Sequence, residues 1–280
     1  MKVRGFFMCE TTRADLKHNY LKQIILRLDY QGILENEIEE IIPKCKSILK
    51  EYNFTRFIEN LNSQYDVNVS NSSPDAEPQI RKKGNRKIFS FFNESQGHQV
   101  DICKDSISIK INSTHYCPFE SYFEYLYKIY NVLNEEIDFI TLQRLGLRKI
   151  NECVVFEKNN INKFFTKEYF SFFNELTSEN NIASKSFDFF VYDDYKVNLQ
   201  RLIQSGKIDN KEAYVVRLDI DVYVDTIELI KDLFLESNKM KDLNDLSFKL
   251  YIKSLTEDFL DKLKQDEFVS EEISGVECNE

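Results

Sequence analysis

The residues best suited to chemistry lie in one basic block, RLGLRKIN, at residues 144–151. In a strand, successive side chains point to opposite faces, so Arg144, Gly146 and Arg148 would share one face. Gly146 removes side-chain bulk between the two guanidinium groups and would let an anion, an aromatic ring or a partner's backbone approach. One hypothesis is therefore a groove for a ligand or partner, contacted by Arg144 and Arg148. The other is structural, with each arginine paired to a carboxylate on a neighbouring strand; the candidate carboxylates are Asp29, Asp219 and Asp221.

Carboxylates alternate along a second predicted strand. Asp219, Asp221 and Asp225 would share one strand face, and alternating carboxylates of this kind can bind a divalent cation. Such metal sites normally gain further carboxylates and a basic residue from other motifs, and we identify no second motif of this type. Asp225 also fits as the cap of a helix that begins at Thr226. We therefore expect no metal and no cofactor.

A third candidate is the segment RKKGNRK at residues 81–87, in which five of seven residues are basic. Such a segment can contact phosphate backbones. It lacks interleaved aromatic residues on which bases would stack. The alternative interpretation is a solvated loop without a ligand. The candidate nucleic-acid contacts are Arg81, Lys82, Lys83, Arg86 and Lys87.

The histidines do not suggest a catalytic centre. None of His18, His98 and His115 lies beside a nucleophile motif, and the chain has no GxSxG, HExxH, Walker or GxGxxG pattern. This favours a role without catalysis, although catalytic groups that are distant in sequence are invisible to such a search. We identify no catalytic residue.

Apolar periodicity predicts the elements that position these residues. The elements do not show the βαβα alternation of a doubly wound sheet, so we predict an α+β fold of antiparallel sheet with packed helices. Residues 70–87 are rich in Ser, Asn, Pro and charge, and we predict a mobile loop there. Strands are predicted at residues 23–30, 87–93, 98–104, 106–112, 139–156, 186–192, 196–204 and 213–225. Helices are predicted at residues 163–176, 226–236 and 246–265, after residue 37 and from Pro118 onward.

A short internal echo suggests how the chain is organised. The string Arg-Leu-Asp occurs at residues 27–29 and again at 217–219, each time in a predicted strand followed by a helix. The echo indicates two similar α+β halves, or a coincidence of three residues. On this basis, we divide the chain into residues 1–157, residues 158–269, which end in a helical pair, and an acidic tail, 270–280, which we expect to fray.

Composition limits the partners and the compartment. The 280 residues carry a net charge of −10, which has the same sign as nucleic acid and anionic lipid, so only a local basic patch would bind them. Six cysteines occur without any CxxC pair, and the start of the chain lacks the apolar segment of a secretion signal. We therefore predict reduced thiols, a cytoplasmic setting and no membrane partner.

The order of the motifs resembles that of a known group of proteins. An early LKQIILRLDY, a central RLGLRKIN and a late LDIDVY followed by helices are similar to a family of uncharacterised, sporadically distributed prokaryotic proteins. Its most recognisable block is Arg-x-Gly-Leu-Arg-x-Ile-Asn, here at residues 144–151. The resemblance implies no catalytic assignment. The sporadic distribution implies an accessory gene that is linked to defence against phage or mobile elements.

Three functions follow as hypotheses. The first is a non-enzymatic, protein-partner-binding or regulatory accessory component. The second is a nucleic-acid-binding or nucleic-acid-processing accessory, which would use residues 81–87 together with Arg144 and Arg148. The third is a sensor of a small anionic ligand held by the same two arginines.

Overall fold

The computed structural model describes residues 11–68, 79–112, 119–170, 182–235, 237–268 and 270–278. A one-turn 3-10 helix, Arg13–Asp15, comes first, and a second, Lys158–Asn160, follows the seventh strand. The other elements follow in chain order: β1 (His18–Asn19), β2 (Leu21–Gln31), α1 (Glu35–Glu51), β3 (Arg56–Asn68), β4 (Gln79–Asn93), β5 (His98–Cys103), β6 (Ser106–Asn112), α2 (Phe119–Glu136), β7 (Thr141–Phe156), α3 (Ile161–Phe164), α4 (Lys167–Phe170), β8 (Ala183–Tyr192), β9 (Tyr195–Ile208), β10 (Lys211–Val224), α5 (Ile227–Leu235), α6 (Ser237–Lys253), α7 (Glu257–Leu263), β11 (Ile273–Ser274) and β12 (Glu277–Cys278).

These elements form an α+β fold of antiparallel sheet with packed helices, as predicted. The chain divides into two compact units that interleave along the sequence and do not follow the proposed halves. Strands β2 and β7 contribute residues to both. We call residues 25–146 and 224–235 the middle unit, and residues 1–24, 147–223 and 236–280 the outer unit.

In the middle unit, the strands run in the order β3-β4-β5-β6-β2-β7. Strands β4, β5 and β6 form an antiparallel meander, in which Phe91 lies beside Val100 and Val100 lies beside Ile109. These three side chains are buried and line one face of the sheet. Helix α2 packs on that face, where the Tyr125 ring contacts the His98 ring, and α1 packs against α2. The apolar stripe of α1 is Ile38, Ile41, Ile42, Cys45 and Leu49.

A sharp turn after β2 depends on one glycine of the middle unit. Gly32 has a φ of +97°, which residues with a Cβ rarely adopt. A Cβ at this position would lie 2.1 Å from the carbonyl oxygen of Phe139. The turn therefore requires glycine at position 32, for both backbone conformation and space.

In the outer unit, the strands run in the order β2-β7-β10-β9-β8, with β11 beside β7. Leu218 and Ile220 belong to the buried face of β10, since alternate residues of this strand are buried. Helices α6 and α7 surround Tyr20, whose ring lies 5.1 Å from that of Tyr251 and 6.1 Å from that of Phe259. These three aromatic side chains are buried and form part of the core of the outer unit.

The basic segment differs from its prediction. Residues 79–87 belong to β4 and are not a loop; residues 69–78, the rest of that prediction, lie outside the described part. Main-chain pairing with β3 explains the difference, since Asn62 lies beside Arg86 and the register continues to Gln79. Ladder hydrogen bonds need no apolar alternation, so periodicity did not reveal this extension.

Two predicted helices are interrupted. The helix expected at 163–176 appears as α3 and α4, and residues 171–176 lie outside the described part. The helix expected at 246–265 appears as two helices, α6 and α7. The predicted helical pair is therefore three helices, α5, α6 and α7. Both interruptions pair with each other: the Thr166 amide donates to the Ser254 carbonyl at 2.9 Å, and the Thr256 amide donates to the Phe164 carbonyl at 3.0 Å. Tertiary hydrogen bonds therefore replace helical ones at these positions.

The acidic tail, which we expected to fray, pairs with two strands within residues 270–278. Ile273 is buried and lies beside Val155 of β7, and Cys278 lies beside His18 of β1. One apolar residue and a few ladder hydrogen bonds anchor this segment, although most of its neighbours are polar. None of the helices in the described part of the chain is both long and apolar enough to cross a membrane.

Candidate functional site

The basic block lies inside β7, the strand that was predicted for it. Strand β7 extends over Thr141–Phe156, and its alternation places Arg144, Gly146 and Arg148 on one face. Lys149 belongs to the opposite face and is buried. The strand therefore separates the basic residues into a group on one face and a single lysine on the other.

Arg148 forms a bidentate ion pair with Asp219 within the outer unit. Its Nε donates to Oδ1 of Asp219 at 2.8 Å, and its Nη2 donates to Oδ2 at 2.5 Å. The Asp219 side chain is only 8% exposed, whereas that of Arg148 is 42% exposed. The hydrogen bonds to the Asp219 carboxylate raise the pKa of Arg148. The ion pair expected under the structural hypothesis is therefore present.

Arg144 also has a carboxylate partner, within the middle unit. Its Nη1 lies 3.6 Å from Oδ2 of Asp29. Asp29 has a second cation, because Nε of Arg27 donates to Oδ1 at 2.7 Å. Asp29 thus accepts two arginines, and the Arg144 contact is the longer of the two.

The aspartates of the two Arg-Leu-Asp strings form similar ion pairs, one in each unit. In the middle unit, the aspartate of the first string, Asp29, pairs with an arginine of β7. In the outer unit, the aspartate of the second string, Asp219, pairs with the other arginine of β7. The arginines of the two strings differ, since Arg27 contacts its own aspartate and Arg217 pairs with Glu152.

The carboxylates that alternate along β10 are engaged by protein donors. Asp219 is held by Arg148, and Asp221 accepts a hydrogen bond from Nδ2 of Asn198 at 3.2 Å. Over the described ranges, no group of three or more His, Cys, Asp or Glu side chains is arranged to hold a metal ion.

Two residues of the basic segment form ion pairs within the middle unit. Arg86 pairs with Asp105 and also donates to the Ser106 hydroxyl at 2.8 Å. The Lys87 ammonium donates to Glu39 at 2.5 Å and lies 3.2 Å from Glu59. These carboxylate hydrogen bonds raise the pKa of Lys87. The other three basic residues lie on β4, where Asp66 and Tyr65 of β3 are opposite Arg81 and Lys82, and the register shifts at Lys83.

Lys149 is a feature of the outer unit that our sequence interpretation missed. Its ammonium nitrogen donates to Oδ1 of Asn244 on α6 at 2.6 Å. Burial, together with the positive charge of Arg13 and partly offset by the negative charge of Asp245, lowers the pKa of Lys149 to about 7. Arg13 itself pairs with Asp245 at 2.6 Å. The alternation along β7 could have revealed this burial, because Lys149 falls on the same strand face as the apolar residues Leu145 and Leu147.

A second missed feature is an exposed apolar row on β8. Phe187, Phe189 and Val191 alternate along the strand, so they share one face, and they are 54%, 53% and 61% exposed. Strand β8 is the last in the strand order and, within the described residues, pairs only with β9. The β9 residues beside the two phenylalanines are polar, Gln200 and Asn198. Alternation predicted the strand but did not show that it would be an edge.

Comparisons with known proteins add little. Neither the protein-family comparison nor the comparison with curated proteins gives a match. Among solved structures, the chain is compared with the S. pombe Pct1 RNA triphosphatase at 12% identity, covering 89% of this chain and 86% of that one, with a TM-score of 0.13. A structure of the same enzyme with the Spt5 CTD gives 11% identity, coverage of 89% and 88%, and a TM-score of 0.13. Scores this low support no argument about fold or function.

Proposed function

We propose that this protein is a protein-binding accessory component that recruits another polypeptide by strand addition at β8. The supporting observation is the apolar row of Phe187, Phe189 and Val191 on an edge strand. Natural proteins usually protect such edges with charge, proline or a covering element, because open main-chain groups invite pairing. A ten-residue edge with an exposed aromatic row matches recognition by strand addition, in which main-chain hydrogen bonds give affinity and alternate side chains give specificity.

The charged residues support a protein partner over nucleic acid or a small anion. Arg148, Arg144, Arg86 and Lys87 each contact at least one carboxylate of the same unit. A phosphate group would have to compete with these carboxylates for the same donors. The negative net charge adds a general repulsion of polyanions.

We also propose a cytoplasmic setting and a role in prokaryotic defence. The cytoplasmic setting is supported by the free thiols of Cys45, Cys103, Cys153 and Cys278, since disulfides are rare where thiols are kept reduced. The link to defence rests on the family resemblance of the RLGLRKIN block. It is tested separately, by whether deletion of the gene changes the sensitivity of its host to phage.

Site-specific photocrosslinking tests the binding function. A photoreactive phenylalanine analogue replaces Phe189 in the native host, and the control places it at Phe139, which is 81% exposed but lies outside β8. We expect protein adducts at position 189 that are absent at position 139. The same adducts at both positions, or none at 189, would contradict the proposal, and an adduct removed by nuclease would favour the nucleic-acid alternative.

A further inference from the structure

We infer that the polypeptide that adds to β8 is β8 of a second copy of this chain, paired antiparallel about a two-fold axis at Phe189. This inference rests on the proposed function, because it names the partner of the same edge. An edge strand that pairs with its own copy gives an isologous contact, in which one surface must complement itself. The residues of β8 meet this condition in one register.

The apolar row complements itself when the axis passes beside Phe189. In an antiparallel pair, residues at equal distances on either side of the axis lie opposite each other. Phe189 then lies beside Phe189 of the second copy, and Phe187 lies beside Val191 of the second copy. All three residues of the apolar row in each copy gain an apolar neighbour, and cross-strand aromatic and aliphatic pairs of this kind are stabilising.

The same register matches charges at both ends of the row. Lys185 is exposed on the face of the apolar row, and Asp193 is exposed in the turn that follows β8. With the axis at Phe189, Lys185 lies beside Asp193 of the second copy, and the symmetry repeats this pair. Opposite charges placed across two strands are favourable, and like charges are unfavourable.

Registers displaced by one residue give less favourable cross-strand pairs. An axis at Asp188 would place this carboxylate beside its own copy, although Arg201 partly neutralises it. An axis at Phe190 would place Phe187 beside Asp193 of the second copy. Charge complementarity therefore selects the axis at Phe189. On the opposite face, this register places Asp188 beside Phe190 and opposes no like charges.

The size of the row predicts a weak, reversible dimer. Each copy contributes three half-exposed apolar side chains and one strand edge, which is a small contact compared with that of a stable dimer. We therefore expect a monomer–dimer equilibrium that depends on protein concentration and shifts toward dimer as the concentration rises.

A charge exchange, followed by sedimentation equilibrium on the full chain, tests the register. Lys185→Asp and Asp193→Lys each place like charges together twice in the dimer, so we expect each to weaken dimerisation at least about tenfold. The double variant restores opposite charges and should recover most of the wild-type affinity. Phe189→Asp opposes two carboxylates at the axis and should abolish the dimer, whereas the exposed control Phe139→Asp should not. Thermal melting verifies that each variant is folded.

The outcomes separate this inference from the proposed function. A wild-type chain that stays monomeric at all accessible concentrations, or a dimer that none of the β8 variants weakens, would overturn the inference. Single variants that weaken the dimer without rescue in the double variant would overturn the register at Phe189. If the chain is monomeric but the analogue at position 189 still forms adducts with a different protein, the strand-addition function stands and only the identity of the partner is wrong.

Discussion

Strands β7 and β8 use the same two-residue alternation with opposite results. In β7, an interior strand, charged side chains share one face, and Arg144 and Arg148 both contact carboxylates. In β8, an edge strand, apolar side chains share one face, and Phe187 and Phe189 are more than half exposed. The conspicuous charged motif is paired within the protein, whereas the inconspicuous apolar row is exposed.

The contrast teaches that residue type alone does not identify a binding surface. A charged residue on an interior strand has neighbours on both sides that can neutralise it. An apolar residue on an edge strand has neighbours on one side only, so half of its surroundings are left to solvent or a partner. We therefore expect substitutions in β7 to change stability and substitutions in β8 to change association.

The largest effect is expected for Arg148→Ala. The substitution leaves the Asp219 carboxylate buried without its bidentate partner, and we expect it to lower the free energy of unfolding by about 2–3 kcal/mol. Asp219→Asn should cost less, because the more exposed guanidinium of Arg148 can turn to water. Urea denaturation measures both variants. Wild-type stability of Arg148→Ala together with lost partner binding would show that this arginine serves a partner.

The next effect is a pH dependence carried by Lys149. Its pKa in the folded protein is lowered to about 7 from the ordinary lysine value of 10.5, so between these values the unfolded chain binds more protons than the folded one. The free energy of unfolding should therefore rise with pH across this window, by about 2 kcal/mol from roughly pH 7 to 9. Lys149→Met removes this rise.

The control for this pH series is Lys17→Met, which changes an exposed lysine of the outer unit. Chemical denaturation at several pH values compares the slopes of the three proteins. Equal slopes for wild type and Lys149→Met would mean that Lys149 stays charged in the folded protein.

A smaller effect is expected for Arg144→Ala. Asp29 keeps its hydrogen bond from Arg27, so the loss of Arg144 should lower the free energy of unfolding by less than about 1 kcal/mol. The double variant with Arg27→Ala should cost more than the two single variants together, because it alone leaves Asp29 without either arginine. Strictly additive costs in a double-mutant cycle would show that the arginines do not share this carboxylate.

The smallest effect on stability is expected on β8. Phe187→Ser and Phe189→Ser remove exposed apolar surface, so each should change the free energy of unfolding by less than about 0.5 kcal/mol. Their association with a partner or second copy should nevertheless fall. A large loss of stability, measured by thermal melting, would mean that the row is covered by this chain itself.

Local pattern determined much of this protein from its sequence alone. Alternation predicted that the basic block forms a strand and that Arg144 and Arg148 share one face of it. Asp29 and Asp219 were among the carboxylates predicted to pair with these arginines. The strands predicted at residues 87–93, 98–104 and 106–112 correspond to the second half of β4, to β5 and to β6. These features were accessible because side-chain period and turn chemistry act between residues that are close in sequence.

Only the tertiary structure decided which strands have neighbours. The tertiary structure pairs residues 79–87 and Ile273 with neighbouring strands. It buries Lys149 against Asn244, and it leaves the apolar row of β8 on an edge strand. Each of these outcomes depends on pairing between segments far apart in the chain. Strand order sets burial and ion pairing together, because a side chain is neutralised or covered only where a neighbouring strand or helix supplies the partner.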